Sequence, residues 1–75
     1  RAVALAPDDP APRFNRGLSL ARARKPREAV EDFTEAIRLD PDDPSAHVQR
    51  GYALLELREE DRAIADFTRA AELNP

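Results

Sequence analysis

The sequence contains no cysteine and only one histidine, and both shortages exclude kinds of site. Without cysteine, neither a disulfide nor a thiolate metal site can form. His47 alone cannot build a multi-histidine metal site, so we expect no metal and no cofactor. A chain without cysteine is compatible with a reducing compartment, which favours a cytoplasmic location, although the sequence names none.

The chain also lacks a basic surplus and a long apolar run. Twelve basic and fifteen acidic residues give a net charge of −3, whereas most nucleic-acid-binding proteins are basic. No uncharged apolar run approaches the roughly 20 residues that a membrane-spanning helix needs. No basic segment followed by an apolar one indicates a secretion signal. We therefore expect neither nucleic-acid binding nor membrane insertion.

Paired titratable groups in a sheltered cleft, which general acid and base catalysis needs, are not indicated either. The candidates are carboxylates on solvated helix faces. At 75 residues the chain can form one small domain. We predict that it is not an enzyme.

What the sequence does contain is a repeat. Residues 28–41 read EAVEDFTEAIRLDP, and residues 62–75 read RAIADFTRAAELNP, 34 positions later. A fixed period of this length predicts a helical array in which each unit buries its apolar face against its neighbours. We assign residues 1–7 to the tail of a preceding repeat helix, residues 8–41 to the first repeat and residues 42–75 to the second.

Each repeat begins with Asp-Asp-Pro, at residues 8–10 and 42–44. Aspartate caps helix starts and proline suits the first helical position, so we predict helices from Pro10 to about Arg24 and from Pro44 to about Arg58. Paired aspartates can also bind cations, but the further oxygen ligands of a calcium loop are missing. Lys25 and Pro26 predict the end of the first helix and the start of the next.

The second helix of each pair is amphipathic. Its apolar face comprises Ala29, Val30, Phe33, Ala36 and Ile37, and in the copy Ala63, Ile64, Phe67, Ala70 and Ala71. Gly17 and Gly51 would each cost about 1 kcal/mol inside a helix. The compensation that we expect is the close approach of another helix.

Glycine, alanine, phenylalanine and proline at these positions resemble the tetratricopeptide repeat signature: Gly17, Ala29, Phe33, Ala36 and Pro41, and 34 residues later Gly51, Ala63, Phe67, Ala70 and Pro75. The resemblance implies an all-α fold, an α-solenoid of antiparallel helix pairs in a right-handed superhelix. It also implies that the first helices line a concave groove for an extended or amphipathic peptide. The implied groove residues are Phe14, Asn15, Leu18, Arg22, Ser45, Val48, Gln49, Tyr52, Leu55 and Glu56, with Ala11 and Ala21 beside them.

Two features of this groove have alternative interpretations. Asn15 and Gln49 could form successive rungs that hold a peptide backbone, or they could be solvated polar residues. Phe14, Leu18 and Tyr52 could contact a ligand or fill the seam between repeats. The lysine and asparagine of the family's carboxylate clamp are absent, because Phe14, Leu18, Val48 and Tyr52 occupy those positions.

Arginine and aspartate recur together as Arg16 with Asp32 and Arg50 with Asp66. We predict that each pair bridges the two helices of its repeat, because guanidinium geometry suits bidentate pairing with a carboxylate. The alternative is that the arginines bind an acidic ligand.

Two functions remain. The first is a protein-interaction scaffold whose groove binds a peptide of a protein partner. The second is a structural spacer that positions other domains, or a segment that associates with itself through uncapped repeat ends.

Overall fold

The computed structural model describes residues 9–74, and this range contains four helices and no strand. They are α1 (Ala11–Arg22), α2 (Pro26–Leu39), α3 (Pro44–Glu56) and α4 (Glu60–Leu73). Each helix packs against the next along the chain, and α1 also touches α3. The predicted all-α solenoid is confirmed. The assignment of residues 1–7 to a preceding helix lies outside the described residues.

The helix starts follow the aspartate and proline pattern. Asp43 Oδ1 accepts a hydrogen bond from the Ser45 amide at 3.0 Å, and Asp9 Oδ1 accepts one from the Ala11 amide at the same distance. These bonds satisfy amides that have no partner within the helix. The predicted capping role of the second aspartate is confirmed in both repeats, and α2 begins at Pro26 as predicted.

The first helices end two residues earlier than predicted, at Arg22 and Glu56 rather than near Arg24 and Arg58. Arg24 and Arg58 adopt left-handed conformations with φ of 65° and 66°. The following amides then bond back to Leu20 and Leu54 at 2.9 Å. This hydrogen-bonded motif terminates a helix and usually has glycine at the left-handed position, so the arginines concealed it.

The core lies between α2 and its neighbours. Ala29 and Phe33 of α2 are fully buried and form a cluster with Ala53 of α3. Half-buried apolar residues pack around this cluster: Phe14, Leu18, Leu20, Ala21 and Val30. The cluster therefore joins the two repeats into one continuous core, as expected for stacked repeat units.

Both glycines lie directly against an aromatic ring of the same repeat. The Phe33 ring contacts Gly17, and the Phe67 ring contacts Gly51. The predicted close approach is thus confirmed, and the helix that approaches is the second helix of the pair.

Candidate functional site

The arginine and aspartate pairs bridge the helices as predicted. Arg16 Nε donates to Asp32 Oδ2 at 2.7 Å, and Arg16 Nη2 donates to Oδ1 at 2.8 Å. Arg50 makes the same bidentate contact with Asp66, at 2.8 and 2.7 Å. Both arginines are therefore held by structural partners within their own repeats.

Arg50 has an additional role that sequence reasoning missed. Its Nη1 donates to Thr34 Oγ1 of α2 at 3.2 Å, so the guanidinium links α4, α3 and the preceding repeat. The Arg50 side chain is 19% exposed, whereas that of Arg16 is 63% exposed. The contact of α2 with α3 accounts for this difference.

The buried carboxylates are compensated by these bonds. Hydrogen bonds from Arg16 hold the pKa of Asp32 below its usual value, and they outweigh the opposing effect of burial. The same bonds raise the pKa of Arg16. Both groups therefore remain charged at neutral pH, which keeps the bridge intact.

A third residue approaches each buried aspartate from the first turn of the first helix. Arg13 Nη1 lies 3.7 Å from Asp32 Oδ1, and His47 Nδ1 lies 3.9 Å from Asp66 Oδ1. His47 is buried, and its Nε2 lies 3.1 Å from the Pro41 carbonyl oxygen. Because a carbonyl only accepts, Nε2 carries the proton and donates it. The 34-residue register of Arg13 and His47 was the available indication of this shared role.

The outer stripe, Ala11, Asn15, Leu18 and Arg22 of α1 with Ser45, Gln49, Tyr52 and Glu56 of α3, contains most of the predicted groove residues. Their spacing of four, three and four residues places each set on one face of its helix. Asn15, Arg22, Ser45, Tyr52 and Glu56 are exposed, and Leu18 and Gln49 are half-buried. Since α1 touches α3, the two halves of the stripe are neighbours.

The remaining predicted groove residues lie beside the outer stripe. Phe14 and Val48 are half-buried, and Leu55 is 40% exposed. Phe14 packs on Phe33 with ring centroids 5.7 Å apart. Tyr52 packs edge-on against Phe67 at 5.2 Å but remains 56% exposed. Phe14 and Leu18 thus contribute to the packing between helices, while Tyr52 leaves a large apolar surface open to solvent.

The model of a known family, described as tetratricopeptide repeat, matches residues 14–75. The chain belongs to the tetratricopeptide repeat family. Repeats of this family are generally protein-interaction scaffolds without catalytic activity. No curated protein matches the chain.

This tetratricopeptide repeat chain is also similar to a solved structure, "MamA MSR-1 C2". The two share 26% sequence identity, and their superposition gives a TM-score of 0.86. The match covers 92% of this chain and 40% of the other, so this chain spans less than half of that protein. The likeness supports the repeat fold that the helix pairs form.

Further features of the repeats bear on other classes of function. Among residues 9–74, no helix is long and apolar enough to cross a membrane, and no cluster of side chains is suited to hold a metal ion. A cavity of about 360 Å³ opens between α1 and α2. It is lined by Arg16, Leu20, Glu28, Glu31 and Asp32. It lies away from the outer stripe.

Proposed function

We propose that the outer stripe binds a segment of a protein partner, either an extended peptide or an amphipathic helix. The observation that carries this proposal is the exposure of Tyr52 beside polar side chains, on two neighbouring helices of a protein-interaction repeat. An exposed aromatic side chain with polar neighbours provides both apolar contact area and orientation for a ligand.

The chemistry of the stripe suggests what the ligand offers. Leu18 and Tyr52, at equivalent positions 34 residues apart, would accept apolar side chains. Asn15 and Gln49 would donate to and accept from the ligand backbone. Arg22 and Glu56, also at equivalent positions, would favour a ligand with an acidic group near the first repeat and a basic group near the second.

Binding is tested by titrating the chain with peptides selected from a random library. The ligand should bind in a saturable manner, and the double variant Asn15→Ala with Gln49→Ala should weaken it about tenfold, as the loss of two hydrogen bonds predicts. A matched control is Arg27→Ala with Asp61→Ala, which changes exposed residues at equivalent positions of α2 and α4.

The control should retain wild-type affinity, and circular dichroism should show equal helicity in all three proteins. If no selected peptide binds in a saturable manner, the alternative of a structural spacer gains support and the proposal is wrong. Equal affinities of the wild type and the amide double variant would remove Asn15 and Gln49 from the site.

A further inference from the structure

Equivalent residues of the two first helices differ in burial. In α3, Ala46, Ala53 and Leu54 are buried next to α2. We call their counterparts in α1, together with Arg16, the head surface: Pro12, Arg16, Ser19 and Leu20. Pro12, Arg16 and Ser19 are exposed, and Leu20 is half-buried. The head surface therefore matches a surface that another helix covers elsewhere in the same chain.

The opposite end of the molecule shows the complementary difference. We call Leu55, Ile64, Phe67 and Thr68 the tail surface. Ile64 is 59% exposed, whereas its counterpart Val30 packs against the core cluster. Phe67 is half-buried, whereas Phe33 is fully buried. The tail surface thus carries the residue types with which the first repeat packs on the second.

The charges of the two end helices are also complementary. Helix α1 contains three arginines and no acidic residue, whereas α4 contains four acidic residues and two arginines. Opposite net charges favour the approach of α4 to α1 and disfavour contacts between two α1 or two α4 helices. The charge pattern therefore selects a head-to-tail orientation.

We infer that the tail surface of one copy of this chain docks on the head surface of a second copy, in the register in which α2 packs on α3. In this register Arg16 of one copy meets Thr68 of the other, as Arg50 meets Thr34 within the chain. The docked α4 covers the cavity lined by Arg16 and Leu20. Because the two surfaces differ, each added copy leaves one of each free, and the assembly extends beyond a dimer.

This association is distinct from peptide binding, because it uses residues outside the outer stripe. The test is sedimentation velocity of the 75-residue chain from about 10 µM to about 1 mM, a range that covers weak self-association. Two variants each block one end: Ile64→Glu on the tail surface and Ser19→Glu on the head surface. The control Ala65→Glu adds the same charge to α4 at an exposed position outside the tail surface.

The wild type and Ala65→Glu should sediment faster as concentration rises, beyond the mass of a dimer. Each blocked variant alone should remain a monomer, because its blocked end meets a free end with an unpaired carboxylate. Their equimolar mixture should form a dimer, since Ser19→Glu retains a free tail and Ile64→Glu retains a free head.

Other results would overturn the inference. A wild type that stays monomeric throughout the range excludes the association. A dimer of Ser19→Glu alone would indicate that two tail surfaces pair with each other. If the wild type is monomeric but a chain that begins at Asp9 associates, the chain's own first residues cover the head surface instead of a second copy.

Discussion

Gly17 lies so close to the Phe33 ring that a Cβ atom added to the glycine would stand 2.6 Å from Cε1. Phe33 is fully buried, so its ring has no room to withdraw. Alanine gains about 1 kcal/mol of helix propensity over glycine, but overpacking of this kind costs about 1–3 kcal/mol. We expect Gly17→Ala to lower the free energy of unfolding by about 1 kcal/mol, measured by urea denaturation.

Gly51 provides the matched control, because its added Cβ would stand 2.7 Å from Cε1 of Phe67, which is only half-buried. This ring can move toward solvent, and we expect Gly51→Ala to be close to neutral. A smaller ring partner, as in Phe33→Leu, should remove the additional cost of Gly17→Ala in a double-mutant cycle. Equal losses at the two glycines would contradict the proposed role of ring burial.

Substitution of the buried aspartates should affect the two repeats unequally. Asp66→Asn leaves the mostly buried Arg50 without its charged partner, and we expect a loss of about 2 kcal/mol in the free energy of unfolding. Asp32→Asn should cost less, because the freed Arg16 is largely exposed and is hydrated. Thermal and urea unfolding of both variants measure the difference. A larger loss for Asp32→Asn would contradict the role of the Thr34 contact in burying Arg50.

Acid should weaken the first repeat through Asp32. The pKa of this carboxyl is lowered in the folded state, so the unfolded chain, with an aspartate pKa of about 3.9, binds the proton more readily. The stabilising contribution is therefore complete above about pH 4 and is lost as the pH falls through the lower folded-state pKa. Urea unfolding at about pH 6 and about pH 2.5 should show a smaller acid-dependent loss in Asp32→Asn than in the wild type. An identical loss would show that Asp32 does not contribute.

Glycine at the left-handed helix ends should stabilise the protein. Arg24 and Arg58 have positive φ, which costs a non-glycine residue about 1–2 kcal/mol. Glycine relieves this strain but increases the entropy of the unfolded chain. We expect Arg24→Gly and Arg58→Gly each to gain about 0.5 kcal/mol in thermal unfolding.

The neighbouring Lys25 is the control for the helix-end substitutions, because its φ of −118° is accessible to any residue. Lys25→Gly should lower stability, since glycine adds unfolded-state entropy there without relieving strain. A gain in Lys25→Gly equal to that in Arg24→Gly would show that backbone conformation is not the cause.

The repeat period was sufficient to predict much of this fold. Gly17, Phe33 and the two arginine and aspartate pairs recur 34 residues apart, and each recurrence corresponds to an observed contact. The helix ends were not predictable to the residue, because arginine at a left-handed position gives no compositional indication. The bond from Arg50 to Thr34 was also missed, since pairing within a repeat is periodic whereas contact across the boundary depends on stacking.

Burial was the least predictable property of the candidate site. Leu20 and Leu54 occupy equivalent positions, yet Leu54 is buried and Leu20 is only half-buried. Their surroundings differ because α2 lies next to α3. The pattern of a single repeat therefore identified which residues share a face, but not which of them remain accessible to a ligand.

The central claim is that the outer stripe is the binding surface. Its most direct test is to follow backbone amide chemical shifts while a selected peptide is added to the labelled chain. The account predicts that the perturbed amides form one continuous set on α1 and α3, including Asn15, Gln49 and Tyr52, while the exposed faces of α2 and α4 remain unperturbed. A peptide that binds in a saturable manner and perturbs only α2 and α4 would contradict it.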